Sequence, residues 1–317
     1  MARYDNALNA TGERMKTPLS VLVTGASGQL GCELRRILET GRAEIGPIPY
    51  GYEDVHVVYT DAAELDIADG DAVDAMVAQH DPDIIINCAA ITDVDGCEAD
   101  EERARRVNAL GAYNLARAAA DHDAVIVHVS TDYVFPGTEE GEREEGDEVG
   151  PLSAYGRTKQ EGEELVMDAA PRHHVVRTAW LYGYGGKNFP ETMLRLAADR
   201  DEISVVADQW GNPTSANDLA YEVLKIALSG SYGIWHCTNE GTCSWADLAE
   251  AVLAESDCRV VRCTTEEYRA ANPNAAPRPA YSSLRNRHLE ATFGNEMRPW
   301  QEALATYMAN RAELRND

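Results

Sequence analysis

The sequence predicts an α/β fold in which a doubly wound parallel sheet carries a smaller C-terminal lobe. Three observations predict it. A glycine-rich turn follows the first apolar run, further apolar runs alternate with helical stretches, and the pattern becomes less regular after about residue 177. Strands that are apolar throughout are typical of a parallel sheet whose two faces are both covered by helices.

The elements follow in order along the chain. Ser20–Thr24 is an apolar run that ends at Gly25, and the spacing of Leu30, Leu34 and Ile37 predicts a helix after the turn. This strand, glycine turn and helix begin a Rossmann domain. Further strands are predicted at 55–59, 83–86, 125–129 and 174–176, and further helices at 70–80, 101–121 and 154–169.

The predicted organisation has three parts. Residues 1–18 form a leader, residues 19–177 a dinucleotide-binding domain, and residues 178–317 mainly a substrate-binding lobe with segments that return to the first domain. The acidic segment 136–150 is predicted to be an exposed loop, which either flanks the site or is simply solvated. Further loops are predicted at 182–187, 209–216 and 272–283.

The composition is strongly acidic. The net charge is −26, from 54 acidic and 28 basic side chains, of which only four are lysine. Because the acids are scattered through every segment, we interpret them as adaptation to a salt-rich cytoplasm, in which charge repulsion is screened. Such a surface disfavours binding to nucleic acid or to an anionic membrane, since both rely on basic patches.

The cysteines predict no cross-links. The seven cysteines form no Cys-x-x-Cys pair and the histidines form no cluster at metal-ligand spacing, so no metal site is predicted. Free thiols in a reducing cytoplasm fit this pattern best. No apolar stretch approaches the length of a membrane span. Whether the chain forms a homodimer is left open.

The turn Gly25-Ala-Ser-Gly28-Gln-Leu-Gly31 is a variant of the dinucleotide fingerprint. Glycine permits the tight turn and lets a diphosphate approach the backbone, while the N-terminus of the following helix favours its negative charge. Asp61, after the second strand, is a candidate for the ribose hydroxyls of NADH. Arg35 and Arg36 are candidates for the 2′-phosphate of NADPH, or are exposed helix residues, and the choice stays open.

Two further segments are predicted to line the cofactor. Asp66-Ile67, after a presumed third short strand, is expected to lie against the adenine. Cys88, Ala89 and Ala90 follow a buried strand and are small, which leaves room for a flat ligand. Asn108, in the next helix, either belongs to this site or is a buried hydrogen-bond partner that ties strand to helix.

Tyr155-Gly-Arg-Thr-Lys159 is the pair on which the predicted chemistry depends. Tyrosine loses its proton near pH 10 in water, so a tyrosine that acts at neutral pH needs a nearby positive charge. On one helix, residues four apart lie on the same face, one turn apart. Lys159 is therefore predicted to supply that charge.

The motifs together carry a family resemblance. Gly25-x-x-Gly28-x-x-Gly31, Asn87-x-Ala89-Ala90, Ser130-Thr131-Asp132 and Tyr155-x-x-x-Lys159 resemble the extended short-chain dehydrogenase/reductase superfamily. Within it, the segments Ser130-Thr131-Asp132-Tyr133-Val134-Phe135, Asn188-Phe189, Asp208-Gln209-Trp210-Gly211-Asn212-Pro213-Thr214 and Arg278-Pro279 resemble the dTDP-4-dehydrorhamnose reductase family. The resemblance covers roughly residues 19–310.

The resemblance implies a reaction. It implies NADPH- or NADH-dependent reduction of the C4 carbonyl of dTDP-4-dehydro-6-deoxy-L-mannose to dTDP-L-rhamnose. Tyr155 would donate a proton to the carbonyl oxygen, Lys159 would hold the ribose and lower the pKa of the tyrosine, and Thr131 would be the second hydrogen-bond donor.

The motifs and the resemblance also assign binding residues. Those assigned to the cofactor are Gly25, Ser27, Gly28, Gln29, Leu30, Gly31, Asp61, Asp66, Ile67, Cys88, Ala89, Ala90, Tyr155 and Lys159. Those assigned to the nucleotide sugar are Thr92, Asp132, Tyr133, Trp180, Lys187, Asn188, Gln209, Thr214 and Arg278. The aromatic residues Trp180 and Tyr182 are as often core as contact, and Gln209 and Thr214 either contact the nucleotide or organise their loop.

Three alternatives remain at this point. The related 4,6-dehydratases carry Asp-Glu after the threonine, and here Asp132 is followed by Tyr133, so dehydration is disfavoured. Nucleotide-sugar epimerases, which use the same tyrosine and lysine, stay open. So does a non-catalytic regulatory subunit of the kind that partners a methionine adenosyltransferase.

Overall fold

The computed structural model describes residues 18–315, so all but the last residue of the predicted leader lies outside the described chain. Within this range the strands, in chain order, are β1 (Ser20–Thr24), β2 (His56–Thr60), β3 (Ile84–Asn87), β4 (Val125–Thr131), β5 (His173–Thr178), β6 (Leu181–Tyr182), β7 (Glu202–Val206), β8 (Trp210–Gly211), β9 (Thr214–Ser215), β10 (Gly233–His236), β11 (Cys243–Ser244) and β12 (Arg259–Cys263).

The helices follow the same order. They are α1 (Gln29–Thr40), α2 (Gly70–His80), α3 (Val94–Ala99), α4 (Glu101–Arg105), α5 (Ala112–Asp121), α6 (Ala154–Ala169), α7 (Phe189–Ala197), α8 (Ala216–Ala227), α9 (Trp245–Val252), α10 (Thr265–Ala271), α11 (Arg287–Phe293) and α12 (Trp300–Leu314). A π-helical segment, Arg106–Gly111, joins α4 to α5, and a short 3₁₀ turn, Asp132–Val134, follows β4.

The main sheet confirms the predicted fold class. Its six strands lie in the order β10-β5-β4-β3-β1-β2, and every pairing is parallel. Side chains alternate between its faces, so Val21 and Val23 enter one core while Leu22 enters the other. Helices α1 and α8 cover the first face, and α2, α5 and α6 cover the second. The result is a doubly wound Rossmann sheet.

Helix α6 begins where its sequence predicts. The Ser153 hydroxyl accepts a hydrogen bond from the backbone N–H of Gly156 at 3.1 Å, which caps the helix. Gly162, on the same helix, packs so closely that an added Cβ would meet the carbonyl oxygen of Asn108. This contact draws α6 against the π-helical segment and brings both Tyr155 and Lys159 toward the end of β4.

The C-terminal part has more strand than the sequence suggests. Segment 209–216, predicted as a loop, contains β8 and β9, which pair with β11 and β6. Strand β10, which the sequence analysis did not identify, adds the sixth strand to the main sheet beside β5. By contrast, the short strand presumed before Asp66 is absent, because residues 61–69 form turns in the described structure.

The acidic segment 136–150 is tied down. The backbone N–H of Arg143 donates to the Ser283 carbonyl at 2.8 Å, and the N–H of Arg285 donates to the Arg143 carbonyl at 2.8 Å. Gly137 packs against Pro279. The segment is therefore held against the predicted loop 272–283, beside the end of β4, rather than being simply solvated.

Three further features bear on the sequence predictions. None of the helices between residues 18 and 315 combines the length and apolar character that a membrane span needs. Across the same residues, no three His, Cys, Asp or Glu side chains are grouped so that they could hold a metal ion. The seven cysteines are all free thiols.

Candidate active site

The glycine turn forms a cradle at the end of β1. Gly25 has a φ of 67°. A Cβ at Gly25 would lie 2.7 Å from the backbone nitrogen of Ala89, and one at Gly31 would lie 2.5 Å from the carbonyl oxygen of Gly25. Neither position accepts a side chain, because the turn packs directly against the residues after β3 and against its own backbone, and Gly25 has a positive φ.

The first turn of α1 completes the cradle. Gly28 precedes the helix and has no side chain with which to cap it, and the first-turn residues Gln29, Leu30 and Gly31 are uncharged. Amides at such a helix end favour an anion. The residues present thus fit the diphosphate of a dinucleotide. Leu30 contributes only its backbone, because its side chain is buried in the core.

Asp61 lies where the sequence places it and is tied to the glycine turn. Its Oδ1 atom accepts hydrogen bonds from the backbone N–H and the hydroxyl of Ser27, at 3.0 and 2.9 Å. Arg36 turns away from this edge: its guanidinium lies 4.9 Å from the Tyr184 ring and donates to the Leu314 carbonyl. Arg35 is exposed and lies 4.2 Å from the ring of Tyr59.

Ile67 and Asn108 have structural roles. The Ile67 side chain is buried in the core, so it does not offer a surface to an adenine, whereas Asp66 is exposed. The amide of Asn108 accepts from the Ile91 N–H at 2.8 Å and donates to the Ile91 carbonyl and the Thr158 hydroxyl. It ties the end of β3 to α6, which was one of the two roles considered for it.

The small residues after β3 lie beside the glycine turn. The Cys88 N–H donates to the Thr24 carbonyl at 3.1 Å, and Ala89 contacts Gly25. Cys88, Ala89 and Ala90 are partly buried, and Thr92 is exposed. Burial raises the pKa of the Cys88 thiol to about 12, so it stays protonated at neutral pH.

Thr131, Tyr155 and Lys159 converge at the end of β4. The Thr131 hydroxyl donates to Asp132 Oδ1 at 2.9 Å and lies near enough to Tyr155, in the first turn of α6, to lower the pKa of the tyrosine. The Lys159 amine, one turn further on, donates to the Val129 carbonyl at 2.6 Å. The spacing of the motif therefore places both side chains against one strand end.

The electrostatics of the pair differ from the prediction. Burial raises the pKa of Tyr155 above its ordinary value and the negative charge of Asp132 raises it further, while the hydrogen bond with Thr131 lowers it. Burial lowers the pKa of Lys159 to about 8, and the negative charge of Glu163 opposes this shift. Lys159 is not among the groups that lower the pKa of Tyr155, because its amine is directed toward the Val129 carbonyl.

Arg278 reaches the same strand end from the C-terminal part. Its positive charge lies near Tyr133 and lowers the pKa of that phenol, and its Nη2 atom lies 3.3 Å from Asp95 Oδ1. The Tyr133 ring lies edge-on to Tyr155, with 5.8 Å between ring centroids. Burial raises the pKa of Asp132 to about 7, opposed by hydrogen bonds from Ser282 and Thr131. The 272–283 loop thus lies against the end of β4, next to the ring that contacts Tyr155.

The chain is similar in sequence to known proteins over most of its length. The family model described as "RmlD substrate binding domain" matches residues 19–313. The chain belongs to this family. A curated relative, the spore coat polysaccharide biosynthesis protein SpsK of Bacillus subtilis, is 42% identical over 294 residues, which are 92% of this chain and 98% of SpsK.

Solved structures resemble this RmlD-family chain over most of its length. A dTDP-4-dehydrorhamnose reductase from Clostridium acetobutylicum is 45% identical, with a TM-score of 0.85 over 92% of this chain and 99% of that one. The dTDP-4-dehydrorhamnose reductase of Bacillus anthracis, solved in complex with NADP, is 36% identical, with a TM-score of 0.84 over 93% of this chain and 100% of that one.

Several residues assigned to the nucleotide sugar make structural hydrogen bonds in this RmlD-family chain. Asn188 caps α7 by accepting from the Glu191 N–H at 2.9 Å and braces the preceding loop through the Gly183 carbonyl at 2.7 Å. Thr214 is fully buried in β9, where its hydroxyl donates to the Asn212 carbonyl. Both therefore organise the fold rather than present a side chain to a ligand.

Of the other residues considered for the nucleotide sugar in this part of the chain, three lie in the interior and one reaches solvent. Trp180 stacks on Trp245 with 3.5 Å between ring centroids, and Tyr182 is fully buried, so both belong to the lobe core. Gln209 is buried and donates to the Thr265 hydroxyl at 3.0 Å. Lys187 is exposed in the loop before α7, so its side chain reaches solvent.

Sequence reasoning missed a set of buried polar residues behind the site. Glu163 accepts from Ser130 at 2.5 Å and from the Arg177 guanidinium at 2.7 Å, and His128 lies 3.4 Å from the Lys159 amine. A histidine and a serine on the same face of the apolar run at β4 were the available signal. Their partners lie 31 to 41 residues away, which the sequence pattern does not reveal.

Proposed function

We propose that this chain is an NADPH- or NADH-dependent reductase that converts dTDP-4-dehydro-6-deoxy-L-mannose to dTDP-L-rhamnose by reducing its C4 carbonyl. The observation that carries the proposal is the convergence of Thr131, Tyr155 and Lys159 at the end of β4, at the same edge of the parallel sheet as the glycine turn after β1. Ligands of doubly wound sheets bind at the carboxyl ends of the strands. The similar solved proteins are named dTDP-4-dehydrorhamnose reductase, which supports the substrate.

The residues of the chain have separate roles in this reaction. Tyr155 gives the proton of its hydroxyl to the carbonyl oxygen, which requires that it be protonated at neutral pH; its raised pKa has this effect. Thr131 turns its hydroxyl hydrogen from Asp132 to the same oxygen when the substrate is bound. Lys159 holds the ribose hydroxyls. The nicotinamide, when bound, supplies the hydride. The cradle at Gly25, Gly28 and Gly31 would hold its diphosphate.

The residue after Asp132 favours reduction over dehydration. Elimination requires a base, and Tyr133 occupies this position with a phenol whose pKa burial raises above its ordinary value. A phenol that stays protonated does not abstract a proton from carbon. Arg278, whose charge lies near Tyr133, is the proposed cation for the nucleotide diphosphate of the substrate.

The nucleotide sugar and the cofactor are proposed to bind to different parts of the chain. Residues 19–177 bind the cofactor, and residues 178–317 mainly bind the substrate, with α8 and β10 returning to the first part. Asp61 favours NADH, because a carboxylate accepts hydrogen bonds from ribose hydroxyls and repels a 2′-phosphate. We also propose a reducing, salt-rich cytoplasm as the working environment, since the thiols are free and the charge is −26.

The experiment is a coupled assay in high KCl. The 4-keto sugar nucleotide is made in situ, NADH and NADPH are compared by the loss of absorbance at 340 nm, and the product is identified by NMR. The proposal expects stoichiometric oxidation and a rhamnose product. An isomerised keto sugar without net oxidation would instead identify an epimerase. A folded chain that binds cofactor and turns nothing over would support the regulatory subunit.

A further inference from the structure

A buried chain of polar groups runs through the sheet to the lysine of the site. The Thr24 hydroxyl at the end of β1 donates to Asn87 Oδ1 at 2.8 Å, and Asn87 Nδ2 lies 3.0 Å from His128 Nδ1. On the other side of the ring, His128 Nε2 lies 3.4 Å from the Lys159 amine. All four side chains are at most 2% exposed. They connect the glycine turn to α6 across β1, β3 and β4.

A backbone group determines the orientation of the Asn87 amide. Its Oδ1 atom lies 3.1 Å from the N–H of Ala89, and a backbone N–H only donates. The oxygen must therefore face Ala89, and the NH₂ group must face His128. Because that NH₂ group donates, His128 Nδ1 is the acceptor. The ring proton consequently resides on Nε2, the atom that faces the lysine.

This tautomer has a consequence for Lys159. An ammonium group has only N–H bonds, so it would confront the Nε2–H of His128 with a second donor. A neutral amine accepts from Nε2–H through its lone pair and still donates to the Val129 carbonyl at 2.6 Å. The geometry around the lysine therefore matches the amine. Burial, which lowers the pKa of both Lys159 and His128, acts in the same direction.

The other charged groups around the lysine do not replace this contact. Glu163, one turn further along α6, favours the ammonium form, but its carboxylate is already bound by Arg177 and Ser130. Cys88, which follows β3, has a thiol that stays protonated at neutral pH. The Nε2–H of His128 is a neighbouring group whose effect a substitution, His128→Leu, can remove without changing the net charge.

We propose that His128 is a positioning residue for Lys159: held by Asn87 with its proton on Nε2, it donates to the lysine and favours the neutral amine in the cofactor-free protein. The proposal deepens the proposed function, in which Lys159 binds the cofactor ribose. In that setting, His128 determines the pH range over which the lysine becomes charged. It makes no use of the identity of the sugar.

The four lysines of the chain permit a direct test. Protein labelled with [ε-¹³C]lysine gives four resonances, and the variant Lys159→Met assigns the one of interest. We expect Lys159 to titrate about two pH units below the ordinary lysine value of about 10.4. ¹⁵N NMR of the labelled histidines reports the tautomer, and we expect a protonated Nε2 and an unprotonated Nδ1 at His128.

Two variants change the contact in different ways. His128→Leu removes the N–H donor at similar volume, and we expect the Lys159 titration to move up by about one pH unit. In Asn87→Asp, a carboxylate oxygen replaces the NH₂ group, so the ring proton moves to Nδ1, which ¹⁵N NMR reports, and the Lys159 titration moves up further through both this change and the added negative charge. His174→Leu is the matched control, because His174 is fully buried on the neighbouring β5 and bonds with Trp235 instead. We expect it to leave Lys159 unchanged.

Two results would overturn the role proposed for His128. A Lys159 titration that is the same in the native protein, His128→Leu and Asn87→Asp would overturn the proposal, as would a native His128 with its proton on Nδ1. If His128→Leu does not fold, the native tautomer and Asn87→Asp still decide. The titrations need neither cofactor nor sugar. A failed reductase assay with shifted titrations would therefore reject only the reaction, and successful turnover with unshifted titrations would reject only the role of His128.

Discussion

At the scale of single residues, burial determines the chemistry of the site more than any pairwise contact does. It raises the pKa of Tyr155, lowers that of Lys159 to about 8 and raises that of Asp132 to about 7. Each shift favours the neutral form, as expected of groups removed from water. A protonated tyrosine is the form that a proton donor requires at neutral pH.

Asp132 should make the stability of the protein depend on pH. Its pKa is raised in the folded state, so the folded chain binds more protons than the unfolded chain between about pH 4 and pH 7, and stability falls as the pH rises through this window. Asp132→Asn removes that loss. We expect the variant to gain about 2 kcal/mol over the native protein between pH 5 and pH 8. Denaturant unfolding at both pH values measures this, and an equal difference at the two would refute it.

Asp61 should determine the cofactor preference. Because its carboxylate sits beside Ser27 in the glycine turn, we expect Asp61→Ser to lower kcat/KM for NADH and raise it for NADPH, changing their ratio by about tenfold or more. Asp66→Ser, at an exposed carboxylate five residues further on, is the control and should leave the ratio as it is. A preference that follows Asp66 rather than Asp61 would contradict this assignment.

At the scale of elements, one helix and one strand assemble the site. Helix α6 carries Tyr155 and Lys159 toward β4, and the pair of Glu163 with Arg177 joins the same helix to β5. The side chains of this pair are 2% and 3% exposed. A buried pair contributes little beyond its apolar equivalent, but breaking it leaves an uncompensated charge. The pair therefore fixes the register between α6 and the sheet.

Breaking this pair should be costly. Arg177→Met leaves the Glu163 carboxylate buried with Ser130 as a donor, and we expect a loss of about 3–5 kcal/mol in the free energy of unfolding. The double variant Arg177→Met/Glu163→Gln should recover part of it. Arg157→Met is the control on the same helix, because the pair of Arg157 with Glu101 is about half exposed and should contribute at most about 1 kcal/mol. Equal losses of unfolding free energy in Arg177→Met and Arg157→Met would show that burial does not determine the contribution of these pairs.

At the scale of the whole molecule, the net charge is the dominant feature. The charge of −26 is spread over the whole sequence, and exposed pairs such as Arg287 with Glu144 leave most acids unbalanced. Repulsion among them destabilises the compact state. Ions screen this repulsion, since the Debye length falls from about 10 Å at 0.1 M to about 3 Å at 1 M salt.

Stability should therefore rise with salt. We expect the Tm to increase steadily between 0.1 and about 2 M KCl, because repulsion is weakened more in the folded state than in the expanded one. Thermal unfolding followed by circular dichroism measures this. Sucrose, which stabilises by exclusion without screening charge, provides the comparison. A protein that is fully stable without added KCl, and whose Tm does not increase when KCl is added, would refute the adaptation to salt.

The fold was readable from the sequence where local signals were strong. The glycine turn and the helical periodicity placed β1, α2 and α6 within a residue of their observed bounds. Strand β10 was not identified, because Gly233–His236 is short and its partner β5 lies some sixty residues earlier. A short strand is defined by its pairing, which local sequence does not show.

The site was readable only in part, for a related reason. The spacing of Tyr155 and Lys159 predicted that they act as a pair. Asn188 and Thr214, by contrast, belong to residue types that serve equally as ligands and as caps. Which role they have depends on groups far along the chain, such as Tyr307 beside Asn188. The buried contacts of His128 and Arg177 were missed because a polar residue in an apolar strand has no visible partner in the sequence.

The most direct test of the account is the kcat/KM for the 4-keto sugar in Tyr155→Phe, compared with Tyr133→Phe, in high KCl. Both variants remove one hydroxyl from neighbouring rings, and cofactor affinity in each shows that the site is intact. We predict that Tyr155→Phe lowers kcat/KM by about 10²–10⁴-fold and Tyr133→Phe by far less, because only Tyr155 gives its proton to the carbonyl oxygen. Near-normal turnover by Tyr155→Phe would contradict the account.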